Sequence, residues 1–300
     1  MPNTPSTFVL RLAASFAAWV LCSSSIVAKP AASDPETVLR ARYVELSQQL
    51  ENSPIQRGLY LESVDHPREP RGDAYAVIDY PFETVAEAFA QPASWCESMI
   101  LHLNVQYCRA NTHEGHTQLA AAVGKNTNQP LEDTHRINFN YTTTASTKDY
   151  LSVALVAKEG PFGTSNYRIA LELIALPDER AFMHIRYSYT QGPMARYASS
   201  IYFSTTGRDK VGFTSVDDEG DAPHLVRGTR GALERNTMRY YLAFDAYLQS
   251  LGSPEPQRFE QSLEIWFADT ERFARQLREV EHDDYIAMKR DQYLRQQGVF

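Results

Sequence analysis

Three hundred residues, 43% of them hydrophobic, can fill one sizeable core, so the chain is not a disordered one. The formal charge of -8, with 29 Lys and Arg against 37 Asp and Glu and no basic cluster, excludes a nucleic-acid surface, which replaces counterions with grouped Lys and Arg. Seventeen Tyr and fourteen Phe suit a packed core, or the wall of a cavity that is part apolar and part wet.

Residues 1–28 read as a secretory leader: Arg11 precedes the apolar run from Leu12 to Val20, and Ser23, Ser24, Ser25 and Ala28 surround a cut after Ala28. Leu21, just before Cys22, is too large for lipoprotein processing, so that reading ranks second. No later stretch is long and apolar enough to span a bilayer. Without the leader two cysteines remain, Cys96 and Cys108, and an even pair in an exported chain favours a disulfide over two buried thiols. Closing that short loop is worth about 3 kcal/mol on the chain-entropy model.

Ser33-Asp34-Pro35-Glu36 resembles a capping box, and Val38, Leu39, Tyr43, Leu46 and Leu50 give the following helix its apolar side. Strands are expected at 58–64 and 74–80. Phe82, Val85 and Phe89 then share a helical face that Gln91-Pro92 closes, and 93–99, with Trp95 and Cys96, forms a second short helix. A Cys96–Cys108 bridge would staple this insert to the strand 101–108. Further strands are expected at 117–124, 135–144, 150–157, 167–175, 181–190, 199–204 and 210–216, paired antiparallel because the turns between them are short. In 135–144, Ile137, Phe139, Tyr141 and Thr143 face one way and Arg136, Asn138, Asn140 and Thr142 the other, the pattern of one buried and one wet face.

The stretch 231–251 is the clearest amphipathic helix, with Leu233, Thr237, Tyr240, Phe244, Tyr247 and Leu251 along one stripe. Its flanking Glu234, Arg235 and Arg239 are expected at the surface; the alternative is that they turn inward as paired buried charges or hold an anionic head group. In the tail 252–300, Phe259, Leu263, Trp266, Phe267, Phe273 and Leu277 give one helix an apolar side, and Tyr285, Met288, Tyr293 and Leu294 another. That side either packs on the domain or docks a protein partner or a second copy.

Motifs for chemistry are sparse. His113-Glu114-Gly115-His116 spaces its histidines three apart around a glycine, not four apart on a helix as a zincin requires, and no metal site is assigned, although His102 and His135 could join it. The sequence holds no nucleophile elbow, P-loop or dinucleotide fingerprint, so no cofactor is expected. Gly160-Pro161-Phe162-Gly163 reads as a hairpin turn, with a flap over a cavity mouth as the bolder alternative. The acidic runs 217–221 and 281–284 lack calcium-loop spacing. Asn140-Tyr141-Thr142 fits a glycosylation acceptor but sits in a strand.

Val77-Ile78-Asp79-Tyr80-Pro81-Phe82-Glu83-Thr84-Val85 followed by Trp95, and Lys210-Val211-Gly212-Phe213-Thr214 ahead of the late helix, resemble the START-like (helix-grip, SRPBCC-type) superfamily over residues 35–251. The resemblance implies an α+β fold: a curved antiparallel sheet gripping a long C-terminal helix, here 33–251, with helical additions at 252–300. It further implies an apolar small molecule, such as a lipid, held between sheet and helix. The leader and the Cys96–Cys108 pair depart from the family and point to an exported, periplasmic protein. Phe139, Tyr141, Tyr187, Tyr189, Tyr240 and Phe244 lie on the apolar faces that should line that space. The rival reading is an enzyme on the same scaffold, of cyclase or hydrolase type, with Glu172, His184 and Arg186 as acid and base groups in the cavity.

Overall fold

Side chains that alternate between apolar and polar build eight strands: β1 Leu59–Val64, β2 Arg71–Ile78, β3 Val105–His113, β4 His116–Val123, β5 His135–Ser146, β6 Tyr150–Glu159, β7 Thr164–Leu176 and β8 Arg180–Gln191. In the computed structural model, which describes Met1 and residues 34–55, 58–216 and 224–298, they pair antiparallel in the order β1-β2-β8-β7-β6-β5-β4-β3. Register shifts at Val105/Tyr107, Thr143/Ala145 and Ser165/Arg168 bend β3, β5 and β7 and help to curve the sheet. The leader and its cut, Ser33 of the capping box, the acidic run 217–221 and the side chain of Phe162 lie outside the described residues.

Helices α1 Pro35–Glu45 and α2 Ser47–Glu51 precede β1, α3 Phe82–Phe89 and α4 Pro92–Met99 separate β2 from β3, and α5 Pro193–Ser204 follows β8. A two-stranded ladder, β9 Ser215–Val216 with β10 His224–Leu225, leads into α6 Gly228–Ser250, and the tail forms α7 Glu255–Glu271, α8 Ala274–Leu277 and α9 His282–Gln296. No described helix is long and apolar enough to cross a membrane.

Period-two geometry gives the sheet two different faces. On the inner face Leu61, Ala76, Phe139, Leu155, Leu171 and Ile185 pack with Leu233, Leu242, Phe244 and Leu248 of α6 in the main core. Burying each large apolar side chain contributes roughly 1.5–3 kcal/mol, which is why α6 stays laid across the sheet. On the outer face a smaller cluster, Tyr75, Tyr150, Ile174 and Phe182, is covered by Leu39, Leu46 and Leu50 of α1 and α2.

Sheet and α6 approach closely at Gly72. A Cβ there would stand 2.4 Å from Thr237 Oγ1 and 3.2 Å from the Leu233 carbonyl oxygen. Gly72→Ala should therefore destabilise the domain by about 1–3 kcal/mol, read as a lower urea midpoint with an unchanged m-value. Cys96 and Cys108 form a buried disulfide that ties α4 to β3.

Two expected strands are corrected. Residues 199–204 belong to α5: Pro193 starts a helix whose Met194, Tyr197 and Ile201 share one exposed side at helical spacing. The β-branched and aromatic run at 201–203 is outweighed by that start signal. Of 210–216 only Ser215 and Val216 form a strand; the segment before them is held by backbone bonds of Gly212 and Thr214 to Val226 and by the Glu234 carboxylate, which accepts from the Phe213 and Thr214 amides at 2.6 and 2.9 Å.

The charged flank of α6 is not at the surface. Glu234, Arg235 and Arg239 are 0%, 5% and 3% exposed. Helices α7 and α8 and the 211–214 segment cover the side of α6 that the sheet leaves open, so each charge must find an internal partner. Glu234 also accepts from Ser63 Oγ at 2.6 Å, Arg239 pairs with Glu279 at 2.9 Å, and Arg235 donates to the Val211 carbonyl at 3.1 Å. Burial and the neighbouring Arg239 charge push the Arg235 pKa down to about 10. These groups are engaged by the protein rather than by a head group.

The tail turns its apolar side inward. Leu263, Trp266, Leu277 and Tyr285 are at most 3% exposed, Trp266 Nε1 donates to the Arg239 carbonyl at 3.3 Å and Tyr285 to the Leu101 carbonyl at 2.9 Å. These four residues are spent on the chain's own core, while Leu294 at the end of the stripe stays exposed.

Candidate functional site

Where α6 crosses the inner face toward β3, β4 and β5, the packing leaves a cavity of about 260 Å³. Three elements shape it. The strands supply Val123, Ile137, Phe139, Tyr167 and Tyr187; α6 supplies Asn236 and Tyr240; the loop after α4 supplies His102 and Asn104, beside Met99 and Val105. Pro161, in the 3-10 turn Pro161–Gly163 between β6 and β7, completes the wall.

Aromatic rings dominate. Tyr240 packs against Tyr187 at 5.8 Å and against the His102 ring at 4.7 Å, and Tyr187 donates its hydroxyl to Tyr167 at 3.1 Å. Burial holds the Tyr167, Tyr187 and Tyr240 hydroxyls above their ordinary pKa, so they stay protonated. The walls can enclose an apolar body while a few polar atoms fix its orientation.

Of the residues expected to line this space, Phe139, Tyr187 and Tyr240 do. Tyr189 stacks on the far side of Tyr167 at 5.3 Å. Phe244 is wholly buried between Phe89 and Trp95, at 4.8 and 5.2 Å. Tyr141 donates to the Ala90 carbonyl at 2.8 Å and fastens α3 to β5.

His102, Asn104, Asn236 and Tyr167 come to the cavity without having been singled out as lining residues. His102 is 3% exposed. Its Nδ1 accepts the Asn104 backbone N–H at 3.1 Å, while Nε2 has no hydrogen-bond partner. Burial, with the charges of Arg239 and Lys289, pushes its pKa well below the ordinary histidine value. The signal in the sequence is faint: a histidine and an asparagine two apart, in a loop fixed by a disulfide.

The other histidines do not gather around it. His113-Glu114-Gly115-His116 is a tight hairpin turn between β3 and β4, with Glu114 and Gly115 both at positive φ. Among the described residues no group of three His, Cys, Asp or Glu side chains is placed to hold a metal ion.

Glu172, His184 and Arg186 do meet, but on the outer face, across the sheet from the cavity. His184 lies between Asp73 Oδ1 at 2.8 Å and Glu172 Oε2 at 2.9 Å, stacked on the Tyr75 ring at 4.3 Å. Arg186 Nε donates to Asp73 at 2.7 Å, Arg71 Nε at 3.2 Å, and Tyr150 donates to Glu172 at 2.7 Å. The cluster borders a cleft of about 630 Å³ beside Pro35. These residues share the Phe182 face of β8, which the register with β2 and β7 turns toward α1. They cannot serve as acid and base inside the cavity.

A curved antiparallel sheet, a long late helix across its inner face and a cavity between them define the architecture. It is a helix-grip fold. No protein-family model and no curated protein matches the sequence. Among solved structures the chain is similar to norcoclaurine synthase from Thalictrum flavum, with TM-score 0.33 and 9% identity over 49% of this chain and 80% of that one. Human StAR-related lipid transfer protein 5 gives 0.31 and 8% over 56% and 88%, and a START superfamily protein from Mycobacterium smegmatis 0.31 and 10% over 46% and 92%. At overlaps of this size the fold assignment stands on the strand order, the register and the placement of α6.

Proposed function

We propose that the protein is an exported, periplasmic binding or transfer protein for an apolar small molecule held between the sheet and α6. The supporting observation is the cavity itself, walled mainly by the apolar and aromatic side chains of Phe139, Ile137, Met99, Tyr187 and Tyr240. Its volume falls just below the roughly 300–1,000 Å³ of small-molecule pockets. That size favours a single short chain or a small ring system over a two-chain phospholipid. The secretory leader read from residues 1–28 supports export.

Native mass spectrometry with extraction of bound molecules, on protein purified from its own compartment, tests the reading. A stoichiometric apolar molecule is expected. Val123→Trp, on the cavity wall, should fill it and lower the bound fraction by roughly tenfold, the effect of about 1–3 kcal/mol of overpacking. Retained binding in a folded Val123→Trp protein would place the ligand elsewhere.

A further inference from the structure

His102 supplies a feature that an apolar container does not need. Its Nδ1 accepts the Asn104 backbone N–H, and a backbone amide can only donate, so Nδ1 carries the lone pair and the proton of the neutral ring sits on Nε2. That Nε2–H is buried and makes no close hydrogen bond, with the Asn236 side chain within weaker reach of the ring, and both residues line the cavity. A buried donor so poorly met is costly, a cost removed when a ligand brings an acceptor. Asn236 and the Tyr240 ring stand beside it on the same wall.

We infer that His102 Nε2–H is the orienting donor of the cavity, and that the site selects apolar molecules carrying a hydrogen-bond acceptor, a carboxylate above all. The inference rests on the cavity-binding reading and names its substrate class. A carboxylate suits the place for a second reason. The positive charges of Arg239 and Lys289 disfavour a third cation at the His102 ring; Arg239 is balanced by Glu279, whereas the Lys289 ammonium donates to neutral acceptors, so its field favours an anion. The surroundings thus agree: the ring's own fixed N–H, the Asn236 amide beside it and the Lys289 ammonium nearby.

The test uses the full mature chain and three probes of one chain length, decanoate, decanol and decylammonium, with affinities measured by calorimetry. The expected order is decanoate, then decanol, then decylammonium, which has no acceptor and carries the wrong charge. His102→Phe keeps a planar ring and removes the donor; it should erase roughly ten- to a hundredfold of the preference for decanoate over decylammonium, as loss of a hydrogen bond to a charged group predicts. His102→Gln, which restores an N–H, should regain part of it. Equal binding of all three probes by the wild type would overturn the inference and leave the cavity reading standing. A uniform loss of all three in His102→Phe would also overturn it, by making His102 a packing residue. Binding of none would overturn the cavity reading and this inference with it.

Discussion

Asp73→Ala is expected to destabilise the domain by about 3–5 kcal/mol, the range for removing one partner of a buried ion pair. Asp73 is 1% exposed and accepts from His184, Arg186 and Arg71, so its loss leaves the charges of His184 and Arg186 side by side on one face of β8 without their shared counter-charge. The penalty should depend on pH. Burial alone would lower the His184 pKa, but hydrogen bonds and charges from Asp73 and Glu172 outweigh it and hold the value above the ordinary one. Burial alone would raise the pKa of Asp73 and Glu172, yet the His184 hydrogen bond, with Arg186 for Asp73 and Tyr150 for Glu172, keeps both below the usual carboxylate range. A raised histidine contributes fully below its unfolded pKa of about 6.5 and loses that contribution as pH rises through its folded value. The depressed carboxylates contribute above about pH 4 and lose it as pH falls through their folded values. The network is therefore strongest between about pH 4.5 and 6.5. Urea denaturation at pH 5.5 and pH 9 should show the larger Asp73→Ala penalty at the lower pH; a penalty independent of pH would mean that His184 is neutral in the fold.

Much of this architecture is legible in the sequence because water marks it. In β5, Ile137 and Phe139 are buried while Arg136, Asn138 and Asn140 are exposed, so the wet face reports the dry one. Helix α6 is legible only on the side that meets the sheet. Its other side is covered by α7, α8 and the 211–214 segment, so residues with surface chemistry, Glu234, Arg235 and Arg239, end up inside. Amphipathic pattern cannot foresee a second layer contributed later in the chain. Helix α5 is hidden for a different reason: its apolar residues Met194, Tyr197 and Ile201 are exposed, and its β-favouring run at 201–203 mimics an edge strand.

The cavity is legible where it is made of strand faces and the sheet-facing stripe of α6, which is how Phe139, Tyr187 and Tyr240 are found, and illegible where a loop closes it. His102 reaches the wall because the disulfide and the following Val105 pairing hold the loop after α4, a consequence of tertiary geometry. The outer network is half legible. Glu172, His184 and Arg186 announce themselves on neighbouring strands, but Asp73 lies 111 residues from His184, and only the β2–β8 register brings them together.

Lys289→Met should weaken the domain by about 2–4 kcal/mol and free the C-terminal helix for proteolysis. The wild-type ammonium is wholly buried and donates to the His102 carbonyl at 2.8 Å, the Val105 carbonyl at 2.9 Å and Gln292 Oε1 at 2.9 Å, three acceptors for three N–H groups. Gln292 continues the chain to Gln106, which donates to the carbonyls of Lys125 and Thr127, so one side chain on α9 organises two loops at the end of the sheet. Methionine fills the volume but leaves those acceptors unmet, at roughly 1–3 kcal/mol each before relaxation; relief of the buried charge offsets part of that cost. The pH dependence separates the two contributions. Burial pushes the Lys289 pKa well below its ordinary value. Between that lowered value and about 10.4 the unfolded chain holds the extra proton, so this group makes wild-type stability rise with pH across the window. The methionine variant lacks the slope, and the gap between the two proteins should widen toward alkaline pH. Because the Lys289 ammonium also holds the His102 carbonyl, the variant should bind decanoate less tightly even where it remains folded, whereas a substitution on the exposed side of α9, such as Leu294→Ala, should leave binding unchanged.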